Sequence, residues 1–326
     1  MKLLGHFVRS SLCALAVSTL LSTASAQSGY PKNSISMVVG FSAGGPADVV
    51  ARTLAPALNA ALGVPLVIEN KPGADGTIAA TQVARAEPDG YTILLAPSTH
   101  AINASLYKKL PYDPINSFSP IALIGESPNI IAVHPSVPAK TVSELVAYAK
   151  RSDSGLNYAS TSSVTELATE LLNLSAGVKM VKIPYKGAGQ AMPALLSGEV
   201  QLMVSSLMTL LPQVQAGRVR ALAVTSRSRV DIAPNIPTVE ESGLPGYEAS
   251  TWYGLFAPAN TPKEVIVRLS QATAQIMKDK DLQAKLGTQG LTTGMAVNSP
   301  EAFRNYFRAE AEKWRKVVSA AGLSAD

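Results

Sequence analysis

The chain has 326 residues, 47% of them hydrophobic, with 28 Lys and Arg against 23 Asp and Glu and a formal charge of +5. The basic residues are scattered, with few aromatics among them, which argues against a nucleic-acid partner. One cysteine and three histidines give neither a disulfide framework nor metal-ligand spacing, so no cofactor and no metal are expected.

In chain order, Lys2 and Arg9 flank the start of an apolar run over 12–21, and Ala24-Ser25-Ala26 follows with the small residues of a signal-peptidase site. This predicts a signal peptide over 1–26, cleaved after Ala26, and export to the periplasm. The run is shorter than the roughly 20 residues a spanning helix needs. Cys13 lies inside it without the small residue expected before a lipid-modified cysteine, so the mature chain has no thiol chemistry. Loss of Lys2 and Arg9 with the leader lowers the formal charge to +3. About 300 mature residues exceed one comfortable core and suit two lobes.

The mature chain alternates strand and helix signals, which predicts parallel α/β layers. Strands are expected at 35–39, 66–69, 91–96, 121–125, 129–134, 156–159, 180–183, 200–204 and 221–225. Helices are expected at 47–61, 77–86, 142–150, 165–176, 190–196 and 207–215. The tail is helical: a helix is expected over 261–278, opening with Thr261-Pro262-Lys263-Glu264, and Ser299-Pro300-Glu301 precedes the last helix, each reading as an N-cap, an N1 proline and an acid in the first turn.

Ligands of open α/β sheets bind where strands turn into helices, and four such turns carry suitable chemistry. The first is Ser42-Ala43-Gly44-Gly45 with Asp48, where glycines allow close backbone approach and free amides at a helix start attract anions. Ser98 and Thr99 follow the strand ending at 96. Ser160, Thr161, Ser162 and Ser163 form a hydroxyl-dense helix entry. Tyr185, Lys186 and Gly187 follow the strand ending near 183, and an aromatic with a polar tip suits a cleft wall. His100 reads as a hydrogen-bonded structural residue, His134 as loop surface, Trp252 as packing, and Asp75-Gly76 and Asp89-Gly90 as turns.

A series of blocks in order, among them Val67-Ile68-Glu69-Asn70-Lys71-Pro72-Gly73-Ala74, Pro88-Asp89-Gly90-Tyr91-Thr92, Pro184-Tyr185-Lys186-Gly187, Pro237-Thr238-Val239-Glu240 and Trp252-Tyr253-Gly254-Leu255-Phe256-Ala257-Pro258, resembles the tripartite tricarboxylate transporter substrate-binding family, the Bug or TctC-like solute receptors. The resemblance implies an α/β fold of the two-lobed type II periplasmic binding protein kind with two crossover segments. It also implies capture of a small organic acid and delivery to the membrane permease subunits of such a transporter. In the family the first turn holds one ligand carboxylate partly through ordered water, and the serine-rich turn of the second lobe holds the other end. The chain departs from the family at that second turn, which is shorter by about two residues, lacks both glycines and runs into Glu166-Leu167-Ala168. A frequent Asp is replaced by Ser205 or Ser206.

The expected division is 28–126 plus 248–326 for the first lobe and 127–247 for the second, with crossovers near 125–129 and 247–252. Two other classes compete with transport. A receptor that docks on a membrane sensor kinase would use the same closure. A secreted hydrolase is disfavoured by widely separated histidines and by the lack of a Gly-x-Ser-x-Gly elbow or a G-x-G-x-x-G fingerprint.

Overall fold

Strand β1 (Ile35–Val39) is buried almost throughout, as a central strand covered on both faces must be. The computed structural model describes residues 29–151, 156–294 and 299–324. The predicted signal peptide lies outside the described residues. Residues 33–326 form one unit, and 29–32 belong to a separate N-terminal one.

Strands β1, β2 (Leu66–Asn70), β3 (Thr92–Pro97), β4 (Phe118–Ser127) and β10 (Thr251–Pro258) form one sheet in the order β2-β1-β3-β10-β4. Strands β5 (Asn129–Val133), β6 (Asn157–Ser160), β7 (Val181–Pro184), β8 (Leu202–Ser206) and β9 (Arg220–Val224) form a second, in the order β7-β6-β8-β5-β9. Helix α1 (Pro46–Leu62) buries Val50, Leu54, Leu58 and Leu62 on one stripe and stops at Gly63, whose left-handed backbone lets its N–H reach the Asn59 carbonyl. Helices α2 (Thr77–Ala84), α3 (Thr99–Leu106), α4 (Val142–Arg151), α5 (Ser163–Ala176), α6 (Ala188–Ser197) and α7 (Leu207–Gln215) follow, then α8 (Lys263–Ile276), α9 (Lys280–Thr288) and α10 (Pro300–Ala321).

The sheets are mixed, not purely parallel. β1 runs parallel to β2 and β3, and β6 parallel to β7 and β8, but β10 is antiparallel to β3 and β4 and β5 is antiparallel to β8 and β9. β10 and β5 each enter their sheet from the other one, so no βαβ unit dictates their direction. β10, with α3 and α9, is absent from the expected elements. Seven of its eight residues are buried, and such a run carries neither a period of 2 nor one of 3.6. In the tail, Ser299 caps α10 by accepting from the Ala302 N–H. Thr261 does not cap α8: its hydroxyl donates back to the Pro258 carbonyl at 2.8 Å, and the helix begins after Pro262.

Helix α10 packs on α3 and β4 and reaches α5 of the second lobe. Its Phe303, Phe307 and Trp314 are fully buried. Gly254 of β10 lies so close under Phe303 that a methyl group there would sit 2.2 Å from the ring.

The two crossovers lie side by side. β4 passes into β5 through Pro128 alone, and the returning β10 pairs Thr251 with Ser127 and Trp252 with Glu126. Asn129 donates its backbone N–H to Thr225 Oγ1 at 2.9 Å and its side-chain amide to the Ala249 carbonyl at 3.1 Å, while Ala249 N–H donates to the Thr225 carbonyl at 3.0 Å.

Three carboxylates meet beside this junction. Glu310 accepts from the indole N–H groups of Trp252 and Trp314 and pairs with Lys313. Glu248 pairs with Arg227 at 2.8 Å. Among the described residues the Glu126 carboxylate has one hydrogen-bond partner, the Tyr306 hydroxyl at 2.9 Å. Burial, followed by repulsion from Glu248 and Glu310, lifts the Glu126 pKa to about 7, against the opposing effects of Tyr306 and Arg227. A carboxyl whose folded pKa is raised binds its proton more tightly in the native state, so its stabilisation is complete below about 4.5 and is lost as pH rises toward 7. The full loss is on the order of 3 kcal/mol. Thermal melts from pH 5 to 8 are therefore expected to show a falling midpoint in the native protein and a flatter profile in Glu126→Gln.

Candidate functional site

The turn between β1 and α1 is held from beneath. Gly44 adopts φ 79°, open to glycine at no steric cost, and its N–H donates to Asp48 Oδ2 at 2.8 Å. The same oxygen accepts from Arg52 Nε at 2.8 Å, and Oδ1 accepts from the Asn70 amide at 2.9 Å. Asn70 also donates to the Phe41 carbonyl at 3.0 Å. Asp48 is 1% exposed, and the hydrogen bond from Arg52, with those from Gly44 and Asn70, draws its pKa down to about 2 in spite of burial. Asp48 thus shapes the turn, while Ser42, Ala43 and Gly44 face solvent and Gly45 is half-buried.

After β3, Ser98 is fully buried at the head of α3, and its hydroxyl meets no partner among the described residues. Thr99 is buried beside a void of about 10 Å³ shared with Gly40, Phe41, Asp75 and Gly76, about the space of one water. His100 stacks on Phe307 at 5.3 Å and meets Phe118 edge-on at 4.6 Å. Burial depresses its pKa to about 3, which leaves it neutral. Its Nε2 has no partner among the described residues, which corrects the expectation of a hydrogen-bonded histidine at that atom.

The hydroxyl-dense turn between β6 and α5 lines a cavity of about 340 Å³. Ser162 caps α5 by accepting from the Thr165 N–H. Ser160 donates to Glu166 Oε2 at 2.7 Å, Lys182 donates to Glu166 Oε1 at 2.8 Å, and Thr161 shares a 3.2 Å bond with Thr165. Ser163 Oγ is shielded from solvent and unpartnered among the described residues. Tyr185 joins the same wall and donates its hydroxyl to Glu199 at 3.1 Å. The opposite wall comes from the first lobe and the C-terminal segment: Asp75, Leu106, Leu323 and Ser324.

The structure thus brings Ser160, Thr161, Ser162, Ser163 and Tyr185 to one cavity. Thr99 lines the small void that shares Asp75 with it. Ser42, Ala43, Gly44, Gly45, Asp48, Ser98, Lys186, Gly187 and Ser205 line neither. Lys186 is exposed, with its backbone N–H on Gln190, Gly187 opens α6, and Ser205 is buried in β8 opposite Ile130. Sequence reasoning missed Asp75, Lys182 and Leu106 as lining residues. An Asp before a Gly reads as a turn whether it faces water or a cleft. Lys182 follows Glu166 by sixteen positions, with no local pattern to join them.

Two α/β lobes joined by paired crossovers, with a hydroxyl-rich cavity lined from both, define a periplasmic binding protein architecture. The chain belongs to the tripartite tricarboxylate transporter family of receptors, whose family model matches residues 50–323. A curated relative from Agrobacterium vitis, the UPF0065 protein in the TAR-I ttuE-ttuC' intergenic region, is 38% identical over 317 residues, 95% of this chain and 91% of its own. The periplasmic binding protein BugD is 37% identical with a TM-score of 0.73, covering 91% of this chain and all (100%) of its own. The R. palustris protein Rpa4515, solved with adipate, is 34% identical with a TM-score of 0.76 over 91% of this chain and 99% of its own. The chain is therefore similar over nearly its whole length to solute-binding proteins.

Removing the Asp48 carboxylate would take the acceptor from the exposed Gly44 N–H and leave the half-buried Asn70 amide with one acceptor fewer, at a cost of about 1 kcal/mol. Asp48→Ala is expected to lower the urea midpoint accordingly while leaving the denaturant slope unchanged. The contribution is present above about pH 4 and fades as pH falls toward 2.

Proposed function

We propose that this protein is a periplasmic receptor that captures a small carboxylate between its lobes and delivers it to the membrane permease subunits of a tripartite tricarboxylate-type transporter. The observation that carries this reading is the cavity of about 340 Å³ walled on one side by Ser160–Ser163 and Tyr185 and on the other by Asp75 and Leu106. Its size is at the lower end of the roughly 300–1,000 Å³ of small-ligand pockets. The start of α5 supplies free backbone amides and the positive end of a helix dipole, which favour an anion.

In this reading 1–26 is a cleaved leader, 28–126 plus 248–326 make the first lobe and 127–247 the second. The lobes close about the paired crossovers, and closure brings the exposed Ser42 and Ala43 of the first turn toward the ligand. The protein works by capture, not turnover. The buried His100 is boxed in by aromatic rings, and Glu166 is already engaged by Lys182 and Ser160. The adipate complex of Rpa4515 supports a carboxylate as the solute.

The test is a thermal-shift screen on residues 27–326, unfolded and refolded to strip carried-over solute, against mono-, di- and tricarboxylates, acidic amino acids and amides. A ligand at 100 times its dissociation constant adds about 2.7 kcal/mol of stability, and the expected hits are confined to molecules bearing a carboxylate. A flat response to every carboxylate would contradict the proposal.

A further inference from the structure

The cavity is electrically asymmetric. At its second-lobe end the first amides of α5, including those of Ser163 and Val164, have no protein acceptor among the described residues, and the shielded Ser163 hydroxyl is equally without a partner. Lys182 lies at this end, but Glu166 holds it at 2.8 Å, so the two side chains are neutral together. The helix start and the hydroxyls remain as an anion-accepting surface.

At the first-lobe end stands Asp75. Its backbone is fixed in the left-handed region, φ 50° and ψ 34°, which Asp tolerates better than most residues. The turn is closed by the Gly76 N–H on the Gly73 carbonyl at 3.0 Å and pinned to α3 by the Asn103 amide on the Asp75 carbonyl oxygen, also at 3.0 Å. Among the described residues neither a basic side chain nor a hydrogen-bond donor meets the Asp75 carboxylate. Its charge is felt by Tyr107, whose hydroxyl is held above the ordinary phenol range by burial first and by Asp75 second. With Glu166 and Lys182 cancelling, Asp75 is, among the described residues, the one charged lining residue of the cavity without a partner for its side chain.

Resting on the receptor reading, we infer that Asp75 is a specificity-determining residue which selects a ligand with an ammonium group at the end opposite its carboxylate, a short amino-terminated monocarboxylate, and disfavours a second carboxylate there. The carboxylate of such a ligand sits on the hydroxyls and amides at the start of α5, and its ammonium pairs with Asp75. A dicarboxylate of the same length would bring a like charge toward Asp75 in a partly dehydrated space, which is a penalty against the wrong ligand as well as a lost attraction.

Isothermal titration of the mature protein with matched pairs tests this: succinate, glutarate and adipate against 4-aminobutanoate, 5-aminopentanoate and 6-aminohexanoate. The native protein is expected to bind the amino member at least tenfold more tightly at the best-fitting length. In Asp75→Asn, where asparagine keeps the left-handed backbone, that preference should shrink by about tenfold, with the dicarboxylate gaining affinity as the amino acid loses it. Dicarboxylates binding as well as or better than their amino partners at every length, or a preference unchanged in Asp75→Asn, would overturn the inference and leave the receptor reading standing. Failure of both series to bind would overturn the receptor reading of this cavity and the inference with it.

Discussion

The pairing of the two crossovers governs the rest of the molecule. Because Thr251 and Trp252 of β10 lie against Ser127 and Glu126 of β4, both passages between the sheets run through one narrow junction, and Asn129, Thr225 and Ala249 stitch it with buried hydrogen bonds. Two adjacent strands can bend together as one pivot, whereas two distant connections would lock the lobes. Hinges are generally a few element-terminal residues that absorb the dihedral change, and this junction meets that description. Its carboxylates are matched unequally. Glu310 and Glu248 have cationic partners, whereas Glu126 has a phenol, so the proton on Glu126 belongs to the electrostatic balance of the pivot.

Away from the pivot, the structure is organised to hold turns in shape. Asp48 lies under the first turn with three donors on its carboxylate. Ser162 caps the second-lobe turn while Glu166 orders Ser160 and Lys182. In each case a buried or half-buried carboxylate of the following helix is occupied by the protein itself. The turns can then offer backbone amides and hydroxyls to a ligand without presenting a free side-chain charge of their own. Asp75 is the exception, and for that reason it carries information about the ligand.

Much of this was legible in the chain. The run Ile35–Val39 followed by the stripe of α1, and the matching βα passages into α5 and α6, announced themselves through apolar runs that change to helical spacing at small or hydroxyl residues. β10 did not, since its uniform burial between β3 and β4 leaves no alternation to read, and α9 buries only Leu282 and Leu286, too little for a helical stripe. The parallel expectation failed for the same strands that cross between lobes, because strand direction there is set by the crossover and not by a local helix. At the site, the hydroxyl cluster at 160–163 was visible from composition alone. The role of Asp48 as a brace and the exposure of Asp75 to the cavity depend on contacts with Asn70 and Asn103, which lie 22 and 28 positions away.

The central claim is that solute binds between the lobes, with the pivot bringing the two walls together. A crystal structure of the mature protein with its highest-affinity carboxylate tests it most directly. The account predicts a ligand with its carboxylate at the start of α5, touching Ser162 or Ser163, its far end within reach of Asp75, and both sheets unchanged internally. A ligand bound outside this cavity, or one contacting a single lobe with the crossovers unmoved, would contradict it.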